Sequence, residues 1–371
     1  MSVQSEIDRL LRPATEVGGL ARDRAALASA LALGTEGGKR FRPWLLTTVH
    51  DAVAHPPAPD EVVDRVAAAV ELLHTAFVIH DDVIDHDDTR RGKPSVPGWF
   101  RADARSLARP DGPDGAGSHG RGATEDEEVY TRAGALLAGD LALAAAVRAV
   151  ATCGAGPDVV GRLLDLLDTT LHVSAAGELA DVRLTLGDGL PTREESLEMA
   201  ECKTAAYSFV LPMQAGAVLA GAEEHAVRAL GEIGRRLGIA FQLHDDLQGV
   251  FGDAQTTGKD PLGDLREGKR TLLVVHASGT AQWSRIAGHL GDPELTEAQA
   301  VDVRAALVDS GSRAYVEELA ARHLRAARDQ ASVFDLDTSL VDPLASTWQP
   351  RRPQSPEAAL AGSGLAEAGA A

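Results

Sequence analysis

Long stretches of this chain carry apolar residues at every third or fourth position, and no run alternates convincingly as a strand; together these confine it to an all-α fold. In 62–84, Val66, Val70, Leu73, Phe77 and Ile84 recur at steps of three, four or seven. The stretch 133–151 is almost wholly apolar, which predicts a helix buried on every side. Segments 159–184, 196–219 and 224–251 keep the same period. The expected architecture is a helical bundle forming one domain over 1–345. Two segments interrupt it. Residues 101–128 hold Pro110-Asp111-Gly112-Pro113-Asp114-Gly115 and then Glu125-Asp126-Glu127-Glu128, predicting a long mobile surface loop. Residues 346–371 turn to Pro, Arg, Gly and Ala and are expected to be a disordered tail.

Charge narrows the function. With 36 basic and 55 acidic residues the net charge is −19, which repels nucleic acid and anionic membrane. A polyanionic ligand would therefore have to meet a local basic cluster, bridging cations, or both. Cys153 and Cys202 show neither a pairing framework nor metal-ligand spacing, as expected of buried thiols in a reducing compartment. Glu6, Asp8 and Arg9 break any apolar leader, and no stretch approaches about 18 uninterrupted apolar residues. The expectation is a cytoplasmic protein with no nucleic-acid partner and no stable membrane insertion.

Two acidic clusters stand out. His80-Asp81-Asp82 and His244-Asp245-Asp246 each end a long apolar helical segment, and each precedes a polar stretch with basic residues. On a helix Asp81 and Asp85 lie one turn apart on one face, so their carboxylates can share hard cations. Oxygen ligands suit magnesium, which keeps several waters and takes one or two carboxylates plus phosphates. With 55 acids in 371 residues, such a triple arises about once by chance, so alone it is a weak signal beside the lesser alternative of a solvated helix end. Placement adds weight, because carboxylates closing an apolar helix need a cation or hydrogen bonds. The second cluster lies in Phe241-Gln242-Leu243-His244-Asp245-Asp246-Leu247-Gln248-Gly249, and Asp253 continues the face of Asp245 and Gly249.

The sparse basic residues fall beside these acids. Gly37-Gly38-Lys39-Arg40-Phe41-Arg42-Pro43 puts three cations in four positions after two glycines that let the backbone approach an anion. Arg90-Arg91-Gly92 follows the first acidic cluster, and Lys203-Thr204, Lys259 and Lys269-Arg270 supply more.

Taken in order, these motifs resemble the trans-isoprenyl diphosphate synthases of the polyprenyl synthetase family, from about residue 30 to 340. Glu71-Leu72-Leu73-His74, Gly139-Asp140, Gly258-Lys259, Asp264-Leu265 and Gly268-Lys269 complete the ordered set. The resemblance implies a homodimer of isoprenoid synthase-type helical bundles, each around a central cavity. It implies that Lys39, Arg42, His74 and Arg91 hold isopentenyl diphosphate. Asp81, Asp85 and Asp245 would ligate two or three Mg2+ per site, with Asp82 and Asp246 completing the catalytic acids. Arg90, Lys203, Lys259 and Lys269 would clamp the diphosphate of an allylic partner (dimethylallyl, geranyl or farnesyl). Thr204 and Gln242 would steady the allylic cation through oxygen dipoles. The activity implied is head-to-tail condensation to a longer all-trans prenyl diphosphate.

The chain departs from the family pattern in two places. Gly249 stands where the second acidic motif usually ends in aspartate, with Asp253 a possible substitute. Glu178 replaces the glutamine of a common Gly-Gln pair, with Asp181 one turn on. A class I terpene cyclase is the nearest alternative, but its second metal motif usually begins with Asn and this chain has none. A non-catalytic partner subunit is the other alternative, opposed by the intact acids and Lys203. Ala76 and Phe77 lie one turn below Asp81, where a product tail should run. Phe77 either caps that path or merely packs on a neighbouring helix; capping implies a C20 product, with C15 next.

Overall fold

The computed structural model of the protein describes residues 2–12, 18–53, 58–90, 92–108, 121–186, 189–252 and 262–333. Among them, helices α1 (Val3–Leu10), α2 (Ala21–Thr35), α3 (Phe41–Val53) and α4 (Asp60–Ile84) come first. A two-residue antiparallel ladder, Thr89–Arg90 with Lys93–Pro94, then leads into α5 (Val96–Ala108), α6 (Arg121–Ala151) and α7 (Pro157–Leu186). Helix α8 (Arg193–Ala200) runs into a π-helical segment, Glu201–Val210, and on into α9 (Leu211–Leu219). The rest is α10 (Glu224–Phe251), α11 (Gly263–Arg266), α12 (Leu272–Ser278), α13 (Glu297–Asp309) and α14 (Ser312–Val333). The all-α expectation holds.

Helix α4 is the central element. Asp60 and Glu61 suit the positive end of its dipole, and Val66 through Val70, Leu72 and Leu73 are all buried. It packs against α6, α3 and α1, while α10 packs against α14, the π segment and α9. Leu46, Leu73, Phe209, Met213, Leu230 and Leu237 join these helices in one apolar core. Each such side chain contributes about 1.5–3 kcal/mol by leaving water. A second core holds the far end of α10 against α12, α13 and α14 through Leu243, Leu247, Leu273, Val303 and Leu307. Both acid-bearing helices are thus clamped along their apolar lengths, which fixes where their acidic ends sit.

The expected segment 196–219 is continuous, but its middle is π-helical. Pro212, in the first turn of α9, has no N–H to close an α ladder onto Ser208, and a wider turn accommodates that gap.

Two expectations need correction. The loop placed at 101–128 is helical at both ends: 101–108 belongs to α5 and 121–128 opens α6. Val96, Phe100 and Ala104 form a buried stripe at helical spacing. Arg101 binds Asp88 and Glu128 at 2.8 Å each, and Arg105 binds Glu127 at 2.9 Å. The acidic run thus lies in the second turn of α6, where Glu127 and Glu128 pair with the arginines of α5. The Pro- and Gly-rich centre, 109–120, lies outside the described residues, as does the tail expected at 346–371. Nor is 133–151 buried on every side. Alanines 135, 138, 142, 146 and 149 face inward with no exposure, while Leu136, Leu137 and Leu141 are 42%, 54% and 46% exposed. By length and composition Thr124–Ala151 could cross a membrane, yet half of that stretch is buried within the protein.

Candidate active site

The end of α4 carries the first acids. Asp85 caps the helix, its N–H donating to the Asp81 carbonyl at 2.8 Å, so Asp81 and Asp85 share a face. Asp82 turns inward, 2% exposed, and accepts from Arg90 Nε at 2.8 Å. The same guanidinium reaches Asp81 at 3.4 Å. Arg90 therefore serves as counter-ion to a buried carboxylate in addition to any ligand it meets.

Two lysines sit among the acids. Lys203 projects from the π segment and places its ammonium 3.2 Å from Asp81, 3.1 Å from Glu178 and 2.7 Å from Asp181. Close approach of α7 makes this possible: a Cβ on Gly177 would lie 2.3 Å from the Lys203 backbone nitrogen. Lys269, just beyond α11, stands 2.9 Å from Glu267, 3.7 Å from Asp264 and 3.9 Å from Asp85. One lysine thus ties α4 to α7, and the other ties α4 to the segment following α10.

The second acidic cluster joins through a relay. Thr204 Oγ1 donates to Gln242 Oε1 at 2.7 Å, and Gln242 Nε2 donates to Asp246 Oδ1 at 2.7 Å. Asp245 is on the same α10 turn and partly exposed. The charges of Asp264 and Asp181 both act on Asp246, so the α10 cluster shares a field with acids of α11 and α7, and Asp181 is joined to Asp81 of α4 through Lys203. Beside them, Tyr207 of the π segment gathers another group. His74 stacks on its ring at 5.9 Å, Arg42 lies over it at 4.9 Å, and Arg42 also donates to Ser208 Oγ at 2.7 Å. Arg40 instead binds buried Glu71 at 2.7 Å, leaving Lys39 exposed in a turn where Gly37 and Gly38 take positive φ. Arg91, Lys259 and Asp253 lie outside the described residues.

Burial pushes the Asp82 carboxyl up to about 6, against the pull of Arg90. Burial and then the neighbouring Asp81 charge push Asp85 up to about 6. Asp246 is only partly covered as a residue, but its carboxyl sits deep, and burial pushes it up to about 8. Burial also raises Glu178. Burial pulls the Lys203 ammonium down, but Asp81, Asp181 and Glu178 outweigh it and hold the group above its usual range. Among the described residues no three acidic, histidine or cysteine side chains already surround one metal-sized point. Ammonium groups occupy the gaps between the acids, and an all-oxygen donor set that already holds cations fits a hard divalent ion.

These shifts set a pH dependence for the metal-free protein. Asp82, Asp85 and Asp246 keep their protons when folded at pH values where the unfolded chain, near 3.8, has lost them. These three carboxyls therefore withdraw stability as pH rises from about 4 through 6 towards 8, while His244, His276 and His323, whose protonation burial disfavours, add stability as pH rises towards 6.5. Thermal melts in EDTA at pH 6.5 and 8, above the histidine range, should show a decreasing Tm, and Mg2+ with inorganic diphosphate should restore most at pH 8. A Tm that rises over this interval would contradict the assignment of strained acids.

Sequence reasoning did not count Glu178, Asp181 or Tyr207 as site residues. Glu178 and Asp181 are one turn apart on α7, and Tyr207 follows Thr204 by three residues; only the close packing of α7 and the π segment brings them in.

This all-α architecture, with carboxylates and lysines interleaved near the C-terminal parts of α4 and α10, is the isoprenoid synthase fold of solved prenyl synthases that superpose on it. A geranylgeranyl pyrophosphate synthase from Corynebacterium glutamicum, solved with isoprenyl diphosphate and magnesium, superposes with TM-score 0.79, covering 93% of this chain and 96% of that one at 27% identity. The polyprenyl synthetase family profile matches residues 25–306. The geranylgeranyl diphosphate synthase of Methanosarcina mazei is 32% identical over 332 residues, 90% of this chain and 89% of its own. The geranylfarnesyl diphosphate synthase of Aeropyrum pernix is 31% identical over 310 residues, 83% and 86% of the two chains. The chain belongs to the polyprenyl synthetase family.

Proposed function

We propose that the protein is a magnesium-dependent trans-prenyltransferase that condenses isopentenyl diphosphate with an allylic diphosphate, releasing diphosphate. The carrying observation is the position of Lys203, within 3.2 Å of acids on both α4 and α7 and one residue from Thr204. Such a cation can follow a leaving diphosphate while its own neighbours hold further positive charge. Two or three Mg2+ held by Asp81, Asp85 and Asp245, with Asp82 and Asp246 behind them, would neutralise charge developing on that diphosphate. Lys203, Lys269, Arg90 and Lys259 donate to its oxygens. Arg42 and His74, set against Tyr207, with Lys39 and Arg91, hold isopentenyl diphosphate for attack by its double bond. The Thr204 proton is committed to Gln242, so the hydroxyl turns lone pairs, not a proton, to the allylic cation. The new bond forms to that cation, and the adduct then loses a proton.

The allylic partner is dimethylallyl, geranyl or farnesyl diphosphate, and the product is geranylgeranyl (C20) or farnesyl (C15) diphosphate. Phe77 meets Tyr207 edge-on at 5.0 Å, directly below the isopentenyl group of residues, whereas Ala76 is fully buried towards α2, α5 and α6. Replacing Phe77 by Ala should lengthen the main product by at least one C5 unit. Unchanged product length would reduce Phe77 to a packing residue.

The protein is proposed to act in the cytoplasm as a homodimer. Leu137 and Leu141, one turn apart on α6, are 54% and 46% exposed, and Leu179 of α7 is 70% exposed. Exposed leucines one turn apart on one helix fit a second copy better than water. Light scattering should give twice the chain mass, falling to one chain in a Leu137→Glu, Leu141→Lys variant; an unchanged mass would place the interface elsewhere.

The reading as a whole is tested with purified protein, Mg2+, labelled isopentenyl diphosphate and each allylic starter. Elongated prenyl diphosphate is expected. A released hydrocarbon would mark a terpene cyclase, and silence with every starter a non-catalytic partner subunit.

A further inference from the structure

Behind the first acidic cluster lies a second polar space. Asp82, His86, Asp88, Arg101, Glu128 and Thr131 line a half-open cleft of about 230 Å³ between the end of α4, α5 and α6. Ion pairs occupy part of its wall, since Arg101 is held between Asp88 and Glu128 at 2.8 Å each. Two of its lining groups are deeply buried: Asp82 and Thr131 are each 2% exposed. Resting on the prenyl-transfer reading, we propose that a resident water in this cleft joins Thr131 Oγ1 to Asp82 Oδ2, which makes Thr131 a positioning residue for the first acidic cluster.

Thr131 behaves unlike other helical threonines of this chain. Thr35, Thr75, Thr152 and Thr170 each turn the hydroxyl back onto the carbonyl four residues earlier, at 3.2, 3.0, 2.8 and 2.8 Å. Thr131 stands on the inward stripe of α6 with Ala135 and Ala138, yet its Oγ1 has no hydrogen-bond partner among the described residues. A hydroxyl that is both buried and dry is destabilising, and this one lines a polar cleft. Asp82 supplies the other end. Arg90 binds Asp82 Oδ1 through Nε and a terminal nitrogen, at 2.8 and 2.5 Å, so Oδ2 has lone pairs for another donor. A water fills about 30 Å³ and bridges two to four polar groups, so the cleft has room for one. It would give one proton to Asp82 and accept the Thr131 proton on its oxygen. His86 adds a further polar neighbour. It keeps a left-handed backbone, φ +58, just after the α4 cap, where glycine or asparagine is usual.

The consequence reaches the chemistry through Arg90. That guanidinium leans on Asp82 and touches Asp81 at 3.4 Å. An Asp82 carboxylate free to turn would loosen the group proposed to clamp the allylic diphosphate, and would leave Arg42 and His74 at Tyr207 as they are.

The test compares Thr131→Val with Thr131→Ser in the full chain, with melting curves and steady-state kinetics. Valine keeps the shape and removes the hydroxyl; serine keeps the hydroxyl. Thr131→Val should melt below the wild-type protein and turn over at least about tenfold more slowly, with an unchanged KM for isopentenyl diphosphate. Thr131→Ser should keep wild-type turnover. A Tm for Thr131→Val at or above wild type overturns the inference, because a dry buried hydroxyl is better replaced by a methyl group. Equal turnover in the two variants overturns the positioning role. A high-resolution crystal structure of the wild-type protein should show the water within hydrogen-bond distance of Thr131 and Asp82, and a site without it overturns the inference as well. Absence of prenyl transfer in the wild-type protein, with that water in place and Thr131→Val melting lower, would instead strike the prenyl-transfer reading itself.

Discussion

Asp81→Asn is expected to lower turnover about a thousandfold or more while leaving the fold intact, consistent with the cost of removing one preorganised charge contact. The substitution keeps the shape of the side chain. Lys203 retains Glu178 at 3.1 Å and Asp181 at 2.7 Å, so its ammonium is not left unpaired. What disappears is the carboxylate that faces Asp85 on one side and Lys203 on the other. The KM for isopentenyl diphosphate should change little, because Arg42 and His74 gather around Tyr207, and His74 lies about two helical turns before Asp81 on α4. Steady-state kinetics with both substrates varied will separate the two constants. Turnover within tenfold of the unmodified protein would remove Asp81 from the chemistry.

Gly177→Val should be one of the most damaging changes outside the acids. Its first side-chain atom would stand 2.3 Å from the Lys203 backbone nitrogen and 2.6 Å from the Cys202 carbonyl carbon. Both are main-chain atoms, which cannot swing aside as a long side chain can. Overpacking of this kind costs about 3 kcal/mol, at the upper end of its usual range. Helix α7 and the π segment would be wedged apart, carrying Lys203 off Asp81. Denaturant unfolding should show the lost stability, and turnover should fall with it. Gly177→Ala should show a smaller version of both effects. An unaltered midpoint would mean that α7 has slack the packing does not reveal.

The helices were legible because their apolar period is local: α10 spans the very residues, 224–251, that its periodicity predicts. The first acidic cluster was legible for the same reason, since it closes an apolar run, whereas α10 continues past the second through buried Leu247 and Val250. The π segment was not, because a change from α to π register leaves the residues as apolar as before. Only Pro212 marks the place, and a proline there also suits an ordinary helix start. The helical ends of 101–128 were hidden by charge. Arg101 finds its partners at Asp88 and Glu128, distances that no local window spans. Glu178 and Gly249 read as departures from a pattern when taken singly. In three dimensions Glu178 becomes a ligand of the Lys203 ammonium, and Gly249 becomes the space filled by Asp264.

The central claim is that the ends of α4 and α10 act together on one diphosphate through divalent ions. Crystals grown with Mn2+ and inorganic diphosphate allow the ions to be located by anomalous scattering. Peaks within coordination distance of Asp81 and Asp85, and of Asp245 across the diphosphate from them, are the predicted result. Peaks confined to one helix end, or diphosphate bound away from Lys203 and Lys269, would contradict it.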